Sequence, residues 1–98
     1  MENNDLILNR LGTDLEIEWP VMIDDGSIPL SEYDIKVYLK CKNFKKEASI
    51  SIENNTIGFT FYGKDQRVAG MYDMELILNE GKTGQVIADY KNAFRLYV

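Results

Sequence analysis

Apolar residues fall at every second position along most of the chain. From Leu15 the odd positions read Leu15, Ile17, Trp19, Val21 and Ile23, and the even positions between them read Glu16, Glu18, Pro20 and Met22. A period of two marks a strand with one buried face, whereas a helix would space its apolar residues by three and four. Pro20 has no N–H to give to a ladder, so this strand is expected at a sheet edge or to carry a bulge. The next stretch repeats the pattern, with Ile35, Val37, Leu39 and Cys41 facing in and Lys36, Tyr38, Lys40 and Lys42 facing out. Over 70–79, Tyr72, Met74, Leu76 and Leu78 face in while Asp73 and Glu75 face out. The last stretch keeps one parity through Val86, Ala88, Tyr90, Phe94, Leu96 and Val98; Asn92 interrupts it and is expected to form a bulge or bend. Leu6 to Leu11 is expected to add a further strand of unassigned register.

Residues 47–62 predict a hairpin. Asn54-Asn55 suit a two-residue loop because asparagine tolerates positive φ. With that loop, paired residues sum to 109, so Ile52 faces Ile57, Ile50 faces Phe59 and Ala48 faces Phe61, while Glu53 faces Thr56 and Ser49 faces Thr60. A slip by one residue destroys the match of apolar with apolar, so turn and pattern select the same register. Connections over 24–33 and 63–69 are long enough to cross between sheets. Seven short strands and no helix predict an all-β, immunoglobulin-like β-sandwich of about seven antiparallel strands. Trp19 is a candidate for its core tryptophan.

The length of 98 residues fits one domain, 1–98, and 45% hydrophobic with 28% charged residues is a globular composition. A net charge of −5 repels phosphate backbones and speaks against nucleic-acid binding. There is no histidine, which removes histidine-based acid–base chemistry and the usual zinc and iron ligand sets. Cys41 stands alone and on an apolar parity, so it reads as a small buried hydrophobe rather than a reactive thiol. The polar start Met1-Glu2-Asn3-Asn4-Asp5 lacks the pattern of a signal peptide, and no apolar run reaches membrane-spanning length. Synthesis in a cytoplasm without membrane insertion is expected. The chain stops at Val98 without a polar tail, the kind of end expected of a domain cut from a longer protein.

Few residues offer chemistry. Gly81-Lys82-Thr83 imitates the end of a phosphate-binding loop, but Leu76 occupies the position of its first glycine and a strand follows, so a hairpin loop is expected. Asp24-Asp25-Gly26, with Glu32 and Asp34 nearby, lacks the ligand spacing of a calcium loop and reads as a solvated turn. Glu16 with Glu18, and Asp73 with Glu75, lie on outward faces and lack the contrasting environments that divide acid and base roles. Lys36, Lys40, Lys42, Lys45 and Lys46 form a basic stripe, expected to be a solvated face paired with acidic neighbours such as Glu16 or Glu75. Asn54-Asn55-Thr56 is formally a glycosylation sequon and is read as a turn. Tyr62, Tyr90 and Tyr97 are expected to be partly exposed. No catalytic, metal or cofactor site is assigned, and the chain is not expected to be an enzyme.

As a set, Gly63-Lys64-Asp65-Gln66-Arg67, Gly70-Met71-Tyr72-Asp73-Met74-Glu75-Leu76, Asn79-Glu80-Gly81-Lys82-Thr83-Gly84-Gln85, Asp89 and Ala93-Phe94-Arg95-Leu96 resemble a group of small proteins or N-terminal domains, many described as tail or structural proteins, encoded by phages and prophages of gut Bacteroidetes. The strand layout is also similar to the immunoglobulin-like N-terminal domain of phage upper-baseplate proteins. The resemblance covers most of the second half and reaches the first half only by pattern. It implies a structural or adaptor module of a phage-type tail or baseplate, with other virion subunits as partners, homo-oligomerisation of the full-length protein and location in the virion. The alternative is a carbohydrate-binding or adhesin-like module of a bacterial surface protein.

Overall fold

The computed structural model describes residues 6–21 and 32–98. Within them the chain forms β1 (Ile7–Arg10), β2 (Leu15–Pro20), β3 (Ile35–Cys41), β4 (Phe44–Glu47), β5 (Ser51–Glu53), β6 (Thr56–Phe61), β7 (Gly70–Leu78) and β8 (Val86–Tyr97). One sheet has the order β1-β8-β7-β3-β4 and the other β2-β6-β5. Taken in chain order, β2 to β8 occupy the places of strands B, C, C′, D, E, F and G of an immunoglobulin sandwich. The predicted all-β sandwich is therefore present, with two corrections. It has eight described strands instead of seven, and β1 runs parallel to β8, pairing Ile7 with Phe94 through Arg10 with Tyr97.

The extra strand is β4. Lys42, at φ 55°, turns the chain so that Cys41 pairs with Phe44. The predicted hairpin at Asn54-Asn55 has the expected register, Ser51–Gly58, Ile52–Ile57 and Glu53–Thr56. Positive φ is needed at Asn54 (56°) alone of the two. The pairing stops at Ser51, because the Ala48 N–H donates to the Val37 carbonyl at 2.8 Å in the other sheet. The expected Ile50–Phe59 and Ala48–Phe61 pairs are thus replaced by a sheet-to-sheet crossing over 48–50. Pro20 ends an edge strand, as its missing N–H requires. Met22, Ile23 and the Asp24-Asp25-Gly26 turn lie outside the described residues.

The core is built from the inward parities read in the sequence: Leu15, Ile17, Val37, Leu39, Cys41, Ile57, Phe59, Phe61, Tyr72, Met74, Leu76, Leu78, Phe94 and Leu96. Its centre is aromatic. Tyr72 stacks on Phe94 with ring centroids 4.9 Å apart, and Phe61 meets both rings edge-on at 5.7 and 6.2 Å. The Tyr72 hydroxyl donates to the Val68 carbonyl at 2.6 Å, the tyrosine corner of immunoglobulin-type sandwiches. Burial pushes that hydroxyl up to about 12. Trp19 is not the core tryptophan: it sits half-buried on β2 and packs against Tyr90 at 5.8 Å.

Asn92 forms the expected bulge. Pairs up to Tyr72–Phe94 sum to 166 and those from Met74–Tyr90 onward sum to 164, so β8 carries two extra residues opposite Asp73. Asn92 adopts φ 55° and its N–H donates to the Asp73 carboxylate at 2.8 Å. A two-residue excess preserves parity, which is why one apolar pattern runs through both halves of the strand.

Beneath the sandwich, the β1–β2 turn is fastened to the β6–β7 corner, where a 3-10 turn spans Gly63–Asp65. Gln66, 6% exposed, is the buried polar side chain of the described residues. Its Oε1 accepts from the Gly12 N–H at 2.7 Å, and its Nε2 donates to the carbonyls of Thr13 (2.8 Å) and Phe61 (3.0 Å). The Gly63 N–H donates to Asp14 at 2.7 Å. A Cβ at Gly63 would lie 2.0 Å from the Gly12 carbonyl oxygen, so close approach of two backbones demands glycine there.

Candidate functional site

A hollow lies on the outer face of the three-stranded sheet. Gly58 of β6 pairs with Glu18 on one side and Ser51 on the other, and its missing side chain leaves a shallow concavity of about 410 Å³. Glu16, Glu18, Ser51, Thr60 and Tyr62 line it, and a second hollow of about 240 Å³ continues toward Glu53 and Asn54. The backbone does not require glycine here, because an added Cβ would meet only ordinary contacts, the nearest at 3.5 Å. Glu16 and Glu18 stand together on this face, as read from the sequence, and both are exposed. Among the described residues no group of three or more ligating side chains is placed to hold a metal ion.

The lysine stripe is a largely neutralised face. Glu75 on β7 receives Lys40 at 3.3 Å and Lys45 at 3.9 Å. Lys36 pairs with Glu80 at 3.3 Å, and this bond raises the lysine above its ordinary value. Lys42 donates to the Ala69 carbonyl at 3.2 Å, and Lys45 stacks over the Tyr38 ring at 4.4 Å. Glu75 fills the expected role, while Glu16 lies on the other sheet. Lys46 departs from the outward stripe: it pairs with Leu39 on the inward parity of β4.

Gly81-Lys82-Thr83 lies in the β7–β8 hairpin loop, where Lys82 is held by Asp34 at 3.0 Å. Asp34 is thereby engaged by a cation of the chain itself. Cys41 is buried, and desolvation pushes its thiol up, away from the reactive thiolate. Tyr62, Tyr90 and Tyr97 are exposed as expected, at 50%, 47% and 46%.

The surface that departs most from expectation belongs to β8. Val86, Ala88 and Tyr90 have the inward parity of Leu78, Leu76 and Met74, their partners on β7, yet all three are exposed. Val98 follows the end of the strand and is also exposed. On the outward parity, Ile87 is 54% exposed and covers Ile77, which is buried away from the main core. β1 pairs only with Phe94–Tyr97, so among the described residues the other side of 86–92 has no strand beside it. Of the ten exposed large apolar side chains among the described residues, six lie on these two strands: Val86, Ile87 and Tyr90 on the uncovered stretch of β8, and Ile7, Leu8 and Tyr97 where β1 runs beside it. Alternation alone could not reveal this, because parity states which face a residue takes and not whether anything covers it. No helix among the described residues is long and apolar enough to cross a membrane. No family model, curated protein or solved structure matches the chain.

Proposed function

We propose that the chain is a non-catalytic assembly domain, a structural or adaptor module of a phage-type tail or baseplate that works by contact with other protein subunits. The observation that carries this reading is the edge of β8 over 86–90, which has no strand beside it among the described residues and exposes Val86, Ile87 and Tyr90. Exposed strand edges are normally blunted by charge, proline or brevity, and an uncovered edge that carries apolar side chains marks a contact site. The tail or baseplate setting rests on the sequence resemblance alone. Co-expression with the proteins encoded beside its gene tests the reading. Co-purification in fixed ratio, or self-association in light scattering, is expected; a chain that does neither would refute it.

The second reading, a carbohydrate-binding module, is favoured by one feature: Tyr62 stands exposed at the rim of the Gly58 concavity beside Ser, Thr and Glu side chains. Binding on a glycan array that is lost in Tyr62→Ala would establish it over the first.

A further inference from the structure

We infer that two copies of this chain associate edge to edge through residues 86–90 of β8, antiparallel about a two-fold axis at Ala88. The inference rests on the assembly reading and supplies its partner and register.

The other sheet edges are guarded. β4 turns Lys46 toward the core side, β2 ends in Pro20 and carries Glu16 and Glu18, β5 has three residues and β1 has four. Inward charge, proline and brevity are the usual means of stopping a strand from pairing with a foreign one. Residues 86–90 have none of these. They read Val-Ile-Ala-Asp-Tyr, hold one charge, and expose Val86 by 51%, Ile87 by 54% and Tyr90 by 47%. The bulge that would twist the edge away comes after them. Among the described residues the N–H and C=O groups of this edge are open on one side, and such a run with apolar side chains on both faces is a template for one more strand.

The edge fits a second copy of itself. Antiparallel pairing of identical strands is an isologous contact, the commonest symmetry among oligomers. Side chains directly opposite share a face, so the axis must set one residue opposite its own copy. An axis at Asp89 sets two carboxylates against each other. An axis at Tyr90 draws in Asn92, whose φ of 55° breaks the ladder, and Lys91, which is held by Asp73 at 3.5 Å. An axis at Ile87 runs into Gly84 at φ 85° in the loop. At Ala88, Val86 faces the second copy's Tyr90, a β-branched residue opposite an aromatic one, and Asp89 faces the second copy's Ile87. On the inner face Trp19 already packs against Tyr90 and holds it in place.

The test is sedimentation velocity of the whole chain across a concentration series, with circular dichroism to verify the fold of each variant. The parent is expected to dimerise. Ala88→Glu and Ala88→Lys are each expected to run as monomers, because like charges meet on the axis, and an equimolar mixture is expected to recover the dimer. Ala88→Cys gives a second readout that needs no change of charge. Directly opposite residues lie about 4.5–5.5 Å apart at Cα, within disulfide reach, so mild oxidation is expected to give a covalent dimer while buried Cys41 stays reduced. A parent that is monomeric throughout overturns the inference, and if it still co-purifies with neighbouring gene products the assembly reading survives. A dimer untouched by Ala88→Glu, or failure of both the charge-swap mixture and the Ala88→Cys cross-link, overturns the β8 contact.

Discussion

Replacing Gln66 with methionine keeps the length of the side chain and removes every polar atom that fastens the β1–β2 turn to the β6–β7 corner. Three hydrogen bonds disappear, to Gly12, Thr13 and Phe61. Each contributes about 0.5–1.5 kcal/mol net, and a polar group left buried without a partner costs about 1–3 kcal/mol. Gly12 and Thr13 are exposed, so water can replace the lost partner there, whereas the Phe61 carbonyl is enclosed. The expected loss is therefore about 3 kcal/mol, a large part of the ~5–15 kcal/mol typical of a domain. At roughly 4–8 °C per kcal/mol, the melting temperature should fall by on the order of 15 °C. Urea titration followed by the fluorescence of Trp19, the one tryptophan, reads the change. A loss below about 1 kcal/mol would refute the reasoning, since one net hydrogen bond already accounts for that much. Gln66→Glu sharpens the test. It keeps the acceptor for Gly12 but turns a carboxylate oxygen toward two carbonyls, which with burial raises the carboxyl above its unfolded value near ~4.3. The variant should be most stable below that value and lose stability as pH rises through the folded one. A flat pH profile would contradict the assigned orientation of the Gln66 amide.

Gly63→Ala should be more damaging than an ordinary loop substitution, by several kcal/mol, because the new Cβ meets backbone at 2.0 Å; a melting curve like the parent's would show that the two loops are not in contact. Tyr72→Phe keeps the aromatic stack and loses the Val68 bond, a cost of about 1–2 kcal/mol in chemical denaturation. The raised Tyr72 hydroxyl adds stability that is complete below pH 10 and drains away as pH climbs toward 12, so the parent should lose more stability than Tyr72→Phe in that window. Cys41 should resist thiol reagents in the native protein and react once urea opens the fold; labelling of the native chain at the rate of a free thiol would contradict its burial.

Much of the sandwich was legible because strands with one buried face write their orientation into every second residue. The inward sets on β2, β3 and β7, the register at Asn54-Asn55 and the bulge at Asn92 all follow from that rule. β4 escaped because Phe44-Lys45-Lys46-Glu47 shows no alternation: one inward position of this edge strand is the lysine that guards it. Gln66 and Gly63 escaped for another reason. Their roles are contacts with Gly12 to Asp14, about fifty positions away, and nothing local distinguishes a loop glutamine that is buried from one that is solvated. The tyrosine corner was hidden in the same way, since alternation marks Tyr72 as inward and leaves the destination of its hydroxyl unstated. The exposed edge of β8 needed the sheet order, because an apolar parity reads alike whether covered or bare.

The parallel pairing of β1 with β8 sets how the domain responds to pulling. The ladder runs from Ile7–Phe94 to Arg10–Tyr97, so the chain enters β1 at one end of it and leaves β8 at the other. Tension applied between the first described residues and the C-terminus acts along the strands and slides one past the other. Its hydrogen bonds then bear the load together and must fail nearly at once, whereas a hairpin pulled open from one end loses them singly. A subunit joined to neighbours at both ends would gain mechanical resistance from this one short contact.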